Sequence, residues 1–564
     1  MKTNFYFLPL MLLIIASTIW TGATAQVSGT VFRDMNSNGV QDATNPSEPG
    51  EFGVSVKAYN ASNSLIATVT TDAAGNYQFA AAQVPAGTAV RLVFTATAGD
   101  YPSKRAAGGR SNVQFVIAGA SATNIDYAIA TKKLLSDNAN PYVATTAATN
   151  GNPLATGAGN AGDNDNLYVF PYDLSATGGS SRRTKNQFTG SVFGLAWQRE
   201  SRTLFMAAYL KRHAGFGPGG IGAIYQTQID INGIPTDPTL LLDVNALGIN
   251  VGADPRVNPL PDASAAPNTD QGVFAEVGKR GIGGIELADN GRDLYIVNMY
   301  EKKLQRINIG NPLKSSFSNA DVTGSWTIPD PGNGSTEWHP MALKSHNGKM
   351  YVGGVCTQET DKAPKASDQT GLSAVVYEVD IKSASPSFTE VLRFPLTHRR
   401  GFTNTDYRYA DRNNYWSAWQ TNGDISLGGP LRSDLIGSLL GGNATGLYYP
   451  QPMLSSLEFD VDGSMVIALR DRFGDQGGYA NYFETGNAPG EAYRVLSSGE
   501  MLRAGKTGGA WNLEDNGQVS SAGITTTTPG VADNNPLQLG SFLALLGTPW
   551  GGTYGPGGGY YYYS

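Results

Sequence analysis

The most constraining feature of this chain is a unit that recurs over its second two-thirds: an apolar strand, a tight turn, a second apolar strand. It reads "VFGLAWQRESRTLFMAAY" at 192–209, "GIGGIELADNGRDLYIVNMY" at 281–300, "HPMALKSHNGKMYVGGV" at 339–355 and "MLSSLEFDVDGSMVIALRDR" at 453–472. The turns "ADNGRD", "SHNGKM" and "DVDGSM" carry the Asn-Gly or Asp-Gly pair of a two-residue hairpin. A lone hairpin cannot bury both of its faces, whereas several stacked around an axis can. With partner strands such as "AIYQTQID", "KLQRINIG" and "AVVYEVDI", the pattern predicts an all-β chain ending in a β-propeller. Four blades are clear. Three degenerate ones, near "YWSAWQTNGDI", "EAYRVLSSGEML" and after Trp511, bring the expected count to about seven, in a ring that could be incomplete. "DNLYVFPYDL" (165–174) is read as an outer strand closing the ring, and a row of further sandwich domains is the competing architecture.

Composition supports short strands over long helices. Only 15% of residues are charged, against 70 glycines, 30 prolines and 27 tyrosines. The first 25 residues carry Lys2, an apolar run from Phe5 to Ala16 and the small-residue site Ala23-Thr-Ala25, the pattern of a cleaved signal peptide. An uncleaved anchor is the alternative, but the apolar run is short for a span. The reading is a secreted or cell-surface protein with no transmembrane segment after cleavage. Removing Lys2 leaves 39 basic residues against 47 acidic ones, with no block of like charge, which argues against nucleic-acid partners. The single Cys356 forms no internal disulfide and reads as a small apolar strand residue.

Residues 26–130 alternate as half-buried strands in seven short runs, which describes a β-sandwich. Directly after the first run stands Asp34-Met-Asn36-Ser-Asn38-Gly39-Val-Gln-Asp42. Oxygen side chains at positions 1, 3 and 5, glycine at 6, a backbone carbonyl at 7 and an oxygen at 9 are what a Ca²⁺ loop of EF-hand type supplies. Asp34, Asn36, Asn38, Val40 and Asp42 fill the ligand places; Asn45 stands where a bidentate Glu is usual, and Glu48 could curl back to complete the shell. The competing reading is a turn whose Asx side chains bond their own backbone.

"GTVFRDMNSNGVQD", "GVSVKAY", "TTDAAGNYQF" and "VPAGTAVRLVF", in that order, resemble the SdrD B-like domain of bacterial surface proteins. The resemblance covers about residues 27–130. It implies an Ig-like sandwich with calcium at Asp34, Asn36, Asn38, Val40 and Asp42, serving as a stalk or spacer in adhesins. Asp72 reads more simply as a turn residue before Gly75. The rest of the chain more loosely resembles large surface proteins of environmental bacteria, which brings no activity with it.

The expected layout is a signal peptide (1–25), the sandwich (26–130), a linker (131–160) and the propeller (161–564). Long Gly/Pro/Asn-rich stretches at 210–222, 246–280, 358–371 and 473–490 would crowd one rim, where binding loops belong. Within the last, Asp471, Arg472, Asp475 and Gln476 form either an Arg–Asp lock or a second cation site, the lock being favoured. The leading function is adhesion, with an extracellular protein or glycan as partner. The competing class is a calcium-dependent propeller hydrolase or lyase acting on a carbohydrate or lactone. For it, Glu286, Glu458, Glu337 and His339 are the candidate channel residues, the two glutamates 286 and 458 occupying similar places in their hairpins. The four histidines are scattered, without HExxH spacing, and no G-x-S-x-G elbow occurs. The C-terminal "GPGGGYYYYS" reads as a strand start or an adhesive tail, and no LPxTG-like sorting signal is present.

Overall fold

The computed structural model describes most residues between 25 and 525. Outside the description lie 1–24, 35–38, 42–47, 96–99, 104–110, 132–140, 173–180, 360–370, 399–414, 422–435, 439–444, 486–491, 515–519, 526–564 and some shorter breaks. The expected signal peptide thus falls almost wholly outside it, as does the terminal tyrosine run. The chain divides into two compact units: Met1–Phe32 with Gly50–Thr95 and Arg105–Ala128, and Arg33–Pro49 with Ala96–Lys104 and Ile129–Ser564.

The N-terminal region holds β1 (Ala25–Arg33), β2 (Ser55–Tyr59), β3 (Leu65–Thr70), β4 (Asn76–Ala80), β5 (Ala89–Thr95), β6 (Asp100–Pro102), β7 (Val113–Ile117) and β8 (Tyr127–Thr131). All seven expected runs are strands, and β6 is an eighth. They form two four-stranded sheets, ordered β4-β1-β8-β6 and β3-β2-β5-β7. Alternation sends Val27, Val31 and Phe79 of one sheet and Val56, Leu92 and Phe94 of the other into a common core. Across that core Tyr77 meets Phe94 edge to face at 5.6 Å, and Phe94 lies 5.0 Å from Tyr127. Asp72 is the turn residue expected: its Oδ1 accepts from the Ala74 and Asn76 amides at 2.9 and 2.8 Å. Gly75 (φ +78°) follows, and a Cβ there would lie 2.2 Å from the Val31 carbonyl oxygen.

The second unit is a succession of small antiparallel sheets. The first has three strands, β9 (Tyr142–Thr146), β10 (Asp165–Pro171) and β11 (Arg182–Lys185), with β10 in the middle. Next come β12 (Val192–Gln198), β13 (Thr203–Ala208), β14 (Ala223–Gln228) and β15 (Thr239–Asp243), then β16 (Ile282–Leu287), β17 (Asp293–Asn298), β18 (Lys303–Asn308) and β19 (Val322–Thr327). A third four-stranded sheet holds β20 (Trp338–His346), β21 (Lys349–Cys356), β22 (Ser373–Val379) and β23 (Phe388–Pro395). In each of these three the strands pair in chain order.

Two three-residue strands follow, β24 (Ile436–Ser438) and β25 (Thr445–Leu447), then β26 (Pro452–Phe459) and β27 (Met465–Asp471). A one-turn helix α1 (Arg472–Gly477), β28 (Tyr479–Asn481) and β29 (Tyr493–Val495) precede β30 (Glu500–Thr507) and β31 (Ala510–Leu513). The fourth large sheet is β26-β27-β30-β31, and the short strands make a side sheet β24-β25-β29-β28.

Strands β13, β16 and β17 are buried at every position, so a sheet must be covered on both faces by its neighbours. The contacts follow: β12 packs on β16, β16 on β20, and β20 on β26, first strand to first strand. Each first strand also slips register near its start, between Val192 and Leu195, Ile282 and Ile285, Pro340 and Ala342, and Leu454 and Ser456. Such bulges bend a strand and increase its twist. One apolar cluster joins Leu167 and Val169 of β10 to the β12 and β16 sheets, and another fills the space among the β16, β20 and β26 sheets.

Four departures from expectation have local causes. Residues 165–174 give no ring-closing outer strand: β10 has a partner on each side. Part of the stretch read as linker carries β9, paired residue for residue with β10. The Glu500 and Trp511 segments are not separate blades but the third and fourth strands of the β26 sheet, displaced along the chain by the insertion that holds α1. The segment at 415–421 holds no strand and instead buries Trp416 and Trp419. Among the described residues there are thus four four-stranded sheets of the repeated kind and one of three strands.

Candidate functional site

The entrance loop begins where β1 ends. Asp34 is buried, and its Oδ2 accepts from the Gly39 amide at 2.7 Å and the Ser103 hydroxyl at 2.6 Å. Gly39 has φ +79°, so the chain turns back on position 1 where a side chain would strain it. Glu48 is buried too, and its carbonyl accepts from the Gln41 side chain at 3.1 Å, while Val40 is exposed. Asn36, Asn38, Asp42 and Asn45 lie outside the described residues. The Asp34 carboxylate, withdrawn from water beside a turned glycine, is the kind of hard oxygen ligand that Ca²⁺ takes.

The segment at 471–476 is a lock and not a cation site. Asp475 already takes Lys211 Nζ at 2.8 Å, Arg470 at 2.6 Å and the Tyr209 hydroxyl at 3.0 Å. These cations hold its carboxyl below the ordinary range against the opposing effect of burial. Asp471 caps α1, accepting from the Phe473 amide, and also from the Gln451 amide, at 3.0 Å each. Arg472 is wholly buried and points at neutral oxygens. It donates to the carbonyls of Val277 (2.8 Å), Gln420 (3.0 Å), Ala275 (2.9 Å) and Phe274 (3.3 Å), and to Gln451 Oε1 (2.7 Å). Its guanidinium lies 4.2 Å from the Trp419 ring centre, and burial lowers its pKa to about 10. One side chain thereby ties together three loops that are distant in the chain.

The four channel candidates separate into two groups. Glu337 and His339 stand at the start of β20 and meet Glu359, which follows β21. One ligand atom from each of the three lies within 4.8 Å of the others. His339 Nε2 is 2.7 Å from Glu359 Oε1, Lys279 Nζ is 2.5 Å from Glu359 Oε2, and Lys302 Nζ is 3.6 Å from Glu337. The His339 ring stacks on Trp419, with centroids 4.5 Å and planes 6° apart, completing a pile of His339, Trp419 and Arg472. Burial brings the His339 pKa down to about 4 although Glu359 opposes it. Burial alone would raise Glu359, yet the bonds from His339 and Lys279 outweigh it and bring it to about 2. At neutral pH the imidazole is therefore neutral and donates its Nε2–H to an ionised carboxylate.

Glu286 and Glu458 form the second group, five residues further along β20, on either side of Lys344. Its Nζ is 2.6 Å from Glu458 and 4.0 Å from Glu286. At about 3.3 Å per strand residue, Lys344 sits roughly 17 Å from His339. The two glutamates also differ in register: Glu286 is in the second pair after the bulge of its strand, and Glu458 in the third. Glu359, Lys279, Lys344 and Trp419 were not among the candidate residues. Only Glu359 carried a local signal, since it lies beyond a hairpin whose other arm starts at Glu337.

Residues 25–140 match the SdrD B-like domain, a family of surface-protein modules generally associated with calcium. The curated relatives are colossins of Dictyostelium discoideum, an amoeba, and not the environmental bacteria to which the looser likeness pointed. Colossin-C is 25% identical over 79% of this chain and 40% of its own length, and Colossin-B 23% identical over 95% and 12%. Colossin-A is 26% identical over 61% of this chain and 3% of its own. The chain thus spans less than half the length of these relatives. Among solved structures, an α-L-arabinofuranosidase from Clostridium thermocellum is 10% identical over 68% of this chain and 91% of its own, with a TM-score of 0.30. A periplasmic gluconolactonase from Pseudomonas aeruginosa is 11% identical over 80% and 98%, with a TM-score of 0.26. Likeness this slight carries no argument. Among the described residues no helix is long and apolar enough to cross a membrane.

Proposed function

We propose that this is a secreted or cell-surface adhesion protein in which a calcium-stiffened SdrD B-like spacer is followed by a propeller-like binding platform. The observation that carries the platform is the contact of β12, β16, β20 and β26 in turn, each the first strand of a four-stranded sheet. Sheets stacked by their first strands around an axis are what a β-propeller is. The long connections that follow β13, β21 and β27 all leave the same end of their sheets, and loops gathered on one rim are where such scaffolds bind. The arrangement favours binding over catalysis: Arg472, Trp419, Gln451 and Gln476 fill that end with mutually satisfied groups. The four residues that a channel enzyme would need lie in two groups.

Calcium in this reading is held by Asp34 and Glu48 with Asn36, Asn38, the Val40 carbonyl and Asp42, and the partner is an extracellular protein or glycan. Surface-immobilised full chain is screened against extracellular proteins and a glycan array, with and without millimolar calcium. Saturable binding to one such partner supports the reading. No binding, together with turnover of a lactone or glycoside, replaces it with the hydrolase class.

A further inference from the structure

We propose that Glu337, His339 and Glu359 form a second metal site, for a divalent transition ion of zinc type and distinct in chemistry from the calcium loop. The three side chains are placed by the paired ends of one hairpin. Trp338 pairs with Cys356, and the Thr357 amide and hydroxyl both donate to the Glu337 carbonyl, at 2.9 and 3.1 Å, so residues 337 and 357 stand side by side. Sites built on strand ends hold their geometry better than sites built on free loops. One ligand atom of each residue lies within 4.8 Å of the other two, a spacing that one ion can draw together.

A second, independent observation comes from the imidazole. His339 is only 5% exposed, and while Nε2 meets Glu359, its buried Nδ1 has no hydrogen-bond partner. The neutral ring carries a single proton: moved to the unpartnered Nδ1, it leaves the Nε2 lone pair facing Glu359, where an ion would be bound. The surroundings supply the outer shell that a metal site needs. Lys279 holds Glu359 through Oε2, leaving Oε1 turned to the histidine, Lys302 approaches Glu337, and Trp419 fixes the plane of the ring. Imidazole with carboxylates suits zinc and its neighbours in the transition series, whereas calcium takes oxygen alone. The open side of the cluster is Glu337, whose side chain is 56% exposed, so an ion has a way in.

The test uses the full chain, stripped with chelator and then saturated with calcium to silence the entrance loop. Zinc is titrated calorimetrically, and cobalt(II) is added as a visible-absorption probe. The expected result is one zinc per chain at this site, weakened about 10- to 100-fold by Glu337→Gln and by His339→Ala, and unchanged by Asp34→Ala. Glu337→Gln alters an exposed side chain, so its near-UV dichroism remains that of the parent and a loss of affinity reads the site and not the fold. Absence of zinc binding to the folded parent overturns the proposal, as does binding that survives both Glu337→Gln and His339→Ala. Neither outcome depends on whether the calcium loop or the surface partner is real.

Discussion

Replacing Arg472 by lysine keeps the buried charge and removes the geometry. The parent makes five hydrogen bonds, to four carbonyls and Gln451, from three nitrogens spread over a rigid plane. An ammonium has three donors clustered at one atom, so at least two of those five hydrogen bonds are lost and the stacking on Trp419 weakens. At roughly 1–2 kcal/mol for each buried hydrogen bond lost, Arg472→Lys should cost about 2–4 kcal/mol. Arg472→Met removes all five bonds, although Phe274, Gln420 and Gln451 keep other donors, and it also removes the desolvation penalty of a cation with no carboxylate against it, so it should cost about 3–5 kcal/mol. The two variants therefore differ by less than either differs from the parent. Urea unfolding followed by tryptophan fluorescence reads this directly, because Trp416 and Trp419 are buried beside the hub. A lysine variant within about 0.5 kcal/mol of the parent would refute the reasoning: charge alone, and not the fork, would then be holding the loops.

Other expectations follow from the same contacts. Glu514 is buried, and burial with Glu500 nearby raises its pKa from 4.5 to about 8 although its Oε1 accepts the Arg503 amide at 2.9 Å. The folded carboxyl stays protonated where the unfolded one ionises, so the parent loses stability as pH climbs from about 4.5 to 8. Glu514→Gln keeps the acceptor and should flatten that slope in melting temperature against pH; an unchanged slope would put the cause elsewhere. Lys344→Met removes the cation between Glu286 and Glu458, for a loss of about 1 kcal/mol that Glu286→Gln partly restores, as a double-mutant cycle in urea would measure. Calcium at 100 times its dissociation constant should stabilise the region around β1 by about 2.7 kcal/mol, and Asp34→Ala should abolish the effect in calorimetry.

How much of this could be read from residues alone divides along a physical line. Period-two alternation and Asn-Gly turns act within about 20 residues, and the four quoted units are indeed the hairpins β12–β13, β16–β17, β20–β21 and β26–β27. Glu359 was within reach by the same local logic: folding the chain back on the turn at Gly348 brings Thr357 against Glu337, two residues short of it. What defeats such reading is anything that breaks the count. The slip between Ile282 and Ile285, and that between Leu454 and Ser456, leave Glu286 and Glu458 at different steps from the bulge although their motifs look alike. One residue of slip changes which face a side chain takes, and no residue type announces it. The insertion holding α1 likewise parts β27 from β30, so the strands of one sheet read as remnants of several blades. Lys279 on Glu359, Trp419 on His339 and Arg472 on Trp419 come from three separate connections, and contacts of that kind arise only once the sheets have stacked. The site's scaffold is thus local and its chemistry is not: strand β20 can be found by counting, but what makes His339 neutral, flat and half-partnered is supplied from elsewhere in the fold.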